Sequence, residues 1–206
     1  MAPPAPPMSA SDKRPRTARG RATMRRLLDA AALEFGEKGF HDTSISGITA
    51  RAGTALGNFY NYFGSKEELF RALVQDMSAR VGERARGALS PGLGALETER
   101  AALLAFLGFA SEHQEIYRII DEAEFIDPAS FRLHYETTAN RIAERLRAGE
   151  DAGELRRGMS DVHAWAIMGM NVFLGLRYAV WANGEDLEQV TEAANAMISE
   201  GIRSKS

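Results

Sequence analysis

Cysteine is absent from the 206 residues, which excludes disulfides, thiolate metal sites and a cysteine nucleophile, and fits a reducing cytoplasm. Proline is scarce beyond the start, since five of the seven prolines fall within the first 20 residues. Long apolar runs are missing as well. The opening MAPPAPPMSASDKRPRTARGR has no continuous apolar core of the kind a signal peptide needs. The most apolar later stretch, Val162 to Ala182, is interrupted by His163, Asn171 and Arg177, so it reads as a buried helix and not a membrane span. The four histidines, His41, His113, His134 and His163, form no metal-like spacing, and there is neither a phosphate-cradling glycine loop nor a nucleophile elbow. No segment alternates strictly enough to compete as a strand, and no internal repeat is visible. The expectation is an all-α, cytoplasmic protein that is not an enzyme and needs no cofactor or metal.

What is present is distributed unevenly. The net charge of −3 conceals ten Lys or Arg against five Asp or Glu in residues 1–66, a net of +5, and fifteen against twenty-three in residues 67–206, a net of −8. A basic head on an acidic body suits a DNA-binding module joined to a domain that does not touch DNA, because phosphate contacts supply most non-specific affinity. Residues 1–20, Pro- and Ser-rich and then basic, read as a disordered tail. Within it and just after it, Arg14, Arg16, Arg19 and Arg21 are candidates for an arm against DNA, the last two favoured because they adjoin the first helix; a merely solubilising tail is the other reading for Arg14 and Arg16.

The most informative stretch is ITARAGTALGNFYNYFGSKEELF, residues 48–70. It predicts a short helix, a tight turn at Gly53, a second short helix, and a third opening on Ser65. Ile45, Ile48 and Ala52 recur at helical spacing, as do Phe59 and Phe63 beyond the turn, so the two helices can share a small core. Two helices joined by a short Gly-containing turn form the helix-turn-helix that enters the DNA major groove. The exposed face of the second would carry Asn58, Tyr60, Asn61 and Tyr62, which can bond base edges and phosphates without an unpaired charge. A first helix is expected from about Thr23 to Lys38, with Leu27, Leu28, Ala31 and Phe35 buried and Gly39 as its stop. Thr43, Thr54 and Ser65 are the expected caps of the second, third and fourth helices, Ser65 with Glu68 as a capping box. Such helix starts are natural phosphate anchors.

AGTALGNFYNYFGSKEEL, preceded by MRRLLDAAALEFGEKGFHDTSISGI, resembles the signature of the tetracycline-repressor (TetR) family of bacterial transcription regulators, over roughly residues 20–75. Gly39, Thr43, the Ala52–Gly53 turn, Tyr60, Phe63 and Lys66 stand where that pattern places them. Ala55 and Leu56 depart from it, replacing the usual small hydroxyl and basic residues at the start of the recognition helix. The resemblance implies an N-terminal three-helix head over residues 21–66 and a helical ligand-binding and dimerisation body over residues 67–206. The expected DNA-facing set is Arg19, Arg21, Thr43, Thr54, Ala55, Leu56, Asn58, Tyr60, Asn61, Tyr62 and Lys66.

The fourth helix, to about Arg86, is expected to be the only rigid link between head and body, and Ser90-Pro91-Gly92 to break the pattern. Helices follow at about residues 101–112, 113–122, 128–147, 160–181 and 186–202. Phe106, Phe109, Tyr117, Phe125, Phe131, Tyr135, Met168 and Phe173 could line a ligand cavity or fill a core equally well. Acidic Asp121, Glu122, Glu124 and Asp127 read as a solvated edge, with a cation site as the alternative. The helix from Trp165 to Trp181 is apolar nearly all round, so a second subunit is expected to cover part of it. The expected dimer contacts are Trp165, Gly169, Phe173, Leu176, Val190, Ala194 and Met197. Three functions follow in order: a ligand-responsive dimeric regulator of double-stranded operator DNA, an architectural DNA-binding protein without an effector, and an all-α enzyme.

Overall fold

A computed structural model describes residue 15 and residues 17–182 and 186–202. The candidate arm residues Arg14 and Arg16, with most of the expected disordered tail, lie outside them. The described residues form helices and turns with no β-strand. The elements are α1 (Ala18–Asp42), α2 (Ile45–Arg51), α3 (Leu56–Phe59), α4 (Lys66–Gly87), α5 (Ala95–Glu112), α6 (Glu115–Ile126), α7 (Pro128–Asp151), α8 (Asp161–Leu174, continued by a π-helical segment Gly175–Trp181) and α9 (Leu187–Ile202).

Three sequence expectations need correction at helix starts. α1 begins five residues before Thr23, because the Thr17 hydroxyl accepts from the Gly20 N–H at 3.0 Å and caps it. The expected tail–head boundary after residue 20 therefore falls inside a helix. α2 is capped by Ser44, which accepts from the Gly47 N–H, and not by Thr43. Thr43 is buried and donates inward to the carbonyls of Glu34 and Gly39 at 3.0 and 2.8 Å. α3 follows Ala55 with no side-chain cap; Thr54 instead accepts from Asn58 Nδ2 at 2.8 Å. Ser65 does cap α4, accepting from the Glu68 N–H, while Glu68 reaches back one residue further than expected, to the Gly64 N–H.

Gly39 ends the regular part of α1 as expected, at φ 81°, and Gly53 makes the α2–α3 turn at φ 62°. Both values lie where a side chain is strained. Leu27, Phe35, Ile48, Phe59, Leu69 and Phe70 are fully buried around this head. Phe70 meets the rings of Phe35 and Phe40 edge-on at 5.2 and 5.1 Å, and each such ring contributes about 1.5–3 kcal/mol by leaving water.

That core does not stop at the head. It continues through Leu73 and Met77 of α4 to Ile116, Ile119, Ile120 and Ala123 of α6, so packing is unbroken across residue 66. A second core joins α7 to α8 and α9 through Ile142, Leu146, Ile167, Met168 and Ile198. A third sets Ala194 of α9 against Leu103 and Leu107 of α5. The order of α4 to α9 thus builds a helical body whose inner helix, α6, faces the head.

Candidate DNA interface and ligand cavity

Around the helix-turn-helix, Arg19, Arg21, Ala55, Leu56, Tyr60 and Asn61 are exposed, and Asn58 and Tyr62 are half-buried. Leu56 and Tyr60 are 48% and 51% exposed, large apolar surface that nothing among the described residues covers. The polar residues of α3 are linked to one another. Asn58 donates to Thr54, and Asn61 Nδ2 donates to Asn58 Oδ1 at 3.0 Å, which fixes their orientation before any partner arrives.

Two residues of the expected DNA-facing set are engaged elsewhere. Thr43 is enclosed, leaving exposed Ser44 and Ser46 at that helix start. Lys66 Nζ donates to the carbonyls of Phe40, His41 and Thr43 at 2.6, 3.3 and 2.7 Å, and lies 4.4 Å from the Phe40 ring centre. It closes the carbonyl end of α1, where a cation is stabilised by the helix dipole. Glu34, buried, holds the head from inside: it pairs with Lys38 and Arg51 at 2.6 and 2.8 Å. The Lys38 hydrogen bond, against the cost of burial and with help from Arg51, holds its carboxyl below the usual range.

The expectation that α4 alone connects head and body is corrected by α6. Arg118 Nη1 donates to the carbonyls of Gly36 and Glu37, each at 3.1 Å, and Glu122 accepts the Phe40 N–H at 2.7 Å. A Cβ at Gly36 would collide with Glu115, and one at Gly39 with Glu122 and Arg118. The two glycines, one turn apart on α1, let α6 lie close enough for this clasp. Arg71 of α4 is also tied to Asp127 after α6, at 2.7 Å. The acidic cluster is therefore split: Glu122 holds the head and Asp127 holds α4, while Asp121 and Glu124 face the other way.

They face a groove of about 1450 Å³ between α6, α7 and α8, lined by Tyr117, Phe131, Tyr135, Trp165, Met168 and Phe173 among others. Five of the eight expected ligand residues meet here. Phe109 does not: it is buried in the core beside His113. Phe125 does not either, being 84% exposed on the outer side of α6. Phe106 lies deeper, along two smaller cavities of about 40 and 80 Å³. Tyr135 and Val172 border all three spaces. Tyr117 donates to the Val172 carbonyl at 2.7 Å, just before α8 widens into its π-helical segment, and burial, aided by Tyr135 and Asp121, pushes its phenol upward. Periodicity missed His134 and Asn171 as cavity residues because single polar residues in helices read as surface, and Asp121 and Glu124, read as a solvated edge or a cation site, border the groove.

The expected dimer set also divides. Ala194 is buried against α5, and Val190 packs on the same cluster, so the chain itself covers them. Trp165, Gly169, Phe173 and Leu176 line the groove. Val162, Phe173, Trp181 and Met197 are 70%, 71%, 67% and 62% exposed, giving α8 and α9 an outward apolar face. Among the described residues no three His, Asp or Glu are grouped to hold a metal, and no helix is long and apolar enough to cross a membrane.

A helix-turn-helix head held on an all-helical body with an internal cavity defines a class of DNA-binding regulators. The family pattern described as "Bacterial regulatory proteins, tetR family" matches residues 27–73. The HTH-type transcriptional regulator YdgC of Bacillus subtilis is 34% identical over 119 residues, 57% of each chain; the match thus spans little more than half of that relative. UidR of Escherichia coli K12, another HTH-type transcriptional regulator, is 25% identical over 184 residues, 88% of this chain and 89% of its own. The crystal structure of FadR from Bacillus subtilis in complex with stearoyl-CoA superposes with a TM-score of 0.76 at 18% identity, covering 87% of this chain and 99% of that one, which bears on the fold. Residues 27–73 thus carry the helix-turn-helix pattern of the TetR family of bacterial regulatory proteins, and the relatives that match are HTH-type transcriptional regulators.

Proposed function

We propose that the chain is a ligand-responsive, homodimeric transcriptional repressor that holds a palindromic operator and releases it when a small molecule enters the body. The observation that carries this reading is the two-sidedness of α6. Tyr117, Asp121 and Glu124 line the groove, while Arg118 and Glu122, the residues between them, grip the end of α1. A ligand that displaces α6 by a fraction of an ångström must move the head or break the clasp, because packed interfaces switch between arrangements and do not deform smoothly. The outward apolar face of α8 and α9 supports a second copy as the partner, since a soluble monomer rarely leaves so many large apolar side chains in water. Two heads then present α3 to successive major grooves about 34–36 Å apart, and a change in that spacing releases DNA. That FadR carries stearoyl-CoA supports an apolar effector in a cavity of this kind.

Operators can be selected from random duplexes with purified protein. The expected outcome is an inverted repeat bound by one dimer, with affinity falling steeply with salt. Selection of no sequence, with binding lost in proportion to added non-specific DNA, would leave only an architectural role.

A further inference from the structure

The inner chamber has a chemistry different from the groove outside it. Its wall includes Arg141 and Arg145 of α7, His134 and Thr138 two turns and one turn before Arg141, Asn171 of α8, and Val81, Gly82 and Ala85 of α4. Arg145 is satisfied: it forms two bonds with Glu99, at 2.6 and 2.9 Å. Thr138 is satisfied by the His134 carbonyl at 2.9 Å. Arg141 is half-buried and has no hydrogen bond or ion pair among the described residues. Its guanidinium lies across Gly82, where a Cβ would run into it. His134 Nδ1 and Asn171 Oδ1 are buried with no hydrogen-bond partner among the described residues. Orphaned polar atoms are rare in folded chains because each costs about 1–3 kcal/mol; two orphans beside an unpaired guanidinium in one chamber call for a missing partner.

Resting on the ligand-responsive reading above, we infer that this chamber takes the carboxylate of an amphipathic monocarboxylic acid, whose apolar body runs out past Tyr135 and Val172 into the groove. A carboxylate accepts from Arg141 and from an imidazole N–H of His134. Asn171, whose amide oxygen and nitrogen exchange by a half-turn of the side chain, supplies a third N–H. The chamber, about 80 Å³, suits a head group and no more. The body has the far larger space outside, lined by Tyr117, Phe131, Trp165, Met168 and Phe173. Burial, with the charge of Arg141, holds the His134 imidazole near a pKa of about 4, so the ring is neutral and the chamber carries one positive charge, matched by one negative charge. A cationic head would add a second positive charge to that chamber. Glu124 borders the groove and Asp121 borders both the groove and the small cavity beside His134, and these carboxylates repel a second anion. The site therefore discriminates free acids from acyl thioesters with polyanionic carriers. Through Arg141 and Gly82 the bound head group also touches α4, the helix that continues into the DNA-binding head.

Isothermal titration of the full-length protein with decanoate, decanol, decyltrimethylammonium and decanoyl-CoA tests this. Decanoate should bind at least about tenfold more tightly than each of the others, the difference expected for one charge-assisted, bidentate pair. Arg141→Met should reduce decanoate to the affinity of decanol while leaving decanol unchanged. Should Arg141→Met lose decanol as well, the same ordering is expected in His134→Gln, with a smaller loss for decanoate. Decanol or the cation binding as tightly as decanoate, or decanoate affinity unchanged in both variants, overturns the carboxylate assignment and leaves an effector cavity standing. Failure of all four compounds to bind overturns both.

Discussion

Replacing Lys66 by Met separates two roles that one sequence position suggests. If the ammonium serves phosphate, its loss weakens DNA binding and spares the fold; the geometry demands the reverse. Three carbonyls at 2.6, 2.7 and 3.3 Å lose their donor, and the Phe40 ring loses a cation at 4.4 Å. A hydrogen bond to a charged group contributes about 1.5–3 kcal/mol, but Lys66 is only half-buried and water refills part of the site. A net loss of about 2–3 kcal/mol is expected, which in a chain of this size lowers Tm by roughly 4–12 °C. Thermal unfolding at fixed protein concentration measures this, since a dimer's Tm depends on concentration. In the same variant, DNA titrations across salt should keep the slope of log affinity on log salt, because no phosphate contact is removed. An unchanged Tm with a slope reduced by about 0.9 per protomer would refute the structural role and restore the phosphate contact.

Arg118→Ala should leave ligand affinity within about threefold but reduce the effect of ligand on DNA, because it opens the α6–α1 clasp without touching the groove; full coupling in this variant, measured by competition titration, would mean that α4 transmits alone. Val162→Glu with Trp181→Glu should yield monomers by sedimentation, as each places an unpaired charge in the proposed interface; a stable dimer moves that interface off α8. The lowered His134 pKa has a definite sign: the unfolded chain takes up a proton near pH 6.5 that the folded chain refuses until about pH 4, so stability falls as pH drops through that window, by up to about 1.4 kcal/mol per pH unit. His134→Gln should flatten the slope between pH 6.5 and 4, and an unaltered slope in urea unfolding would show that the ring titrates normally.

Much of this was legible in the sequence where periodicity and turn residues agree. Leu27, Phe35, Ile48, Phe59 and Phe63 are buried as their spacing predicts, and Gly39 and Gly53 turn the chain as their positions predict. Helix caps were less legible, because Thr43 and Ser44 are adjacent hydroxyls with equal capping chemistry. Only the path of α1 decides which one turns inward, and Thr43 does. Lys66 illustrates the same limit: one motif position serves DNA or the fold according to where the end of α1 lies. The α6 clasp depends on contacts some eighty residues apart, Arg118 with Gly36 and Glu122 with Phe40, which no local pattern records. In the body, aromatic spacing left cavity and core equally open and could not distinguish Phe109, turned to the core, from Phe131, turned to the cavity. The polar lining of the inner chamber was invisible for a related reason: His134, Arg141 and Asn171 come from two helices and meet only through their packing.

The account rests on reciprocal coupling between cavity and DNA, so the most direct measurement is the affinity of one ligand with and without operator. Decanoate titrated into the protein, free and saturated with a selected operator duplex, gives both values. Linkage predicts that operator weakens decanoate binding by the same factor by which decanoate weakens operator binding, within the usual range of about 5- to 150-fold. Equal decanoate affinities in the two titrations would contradict the account, because a ligand that binds both states alike shifts neither.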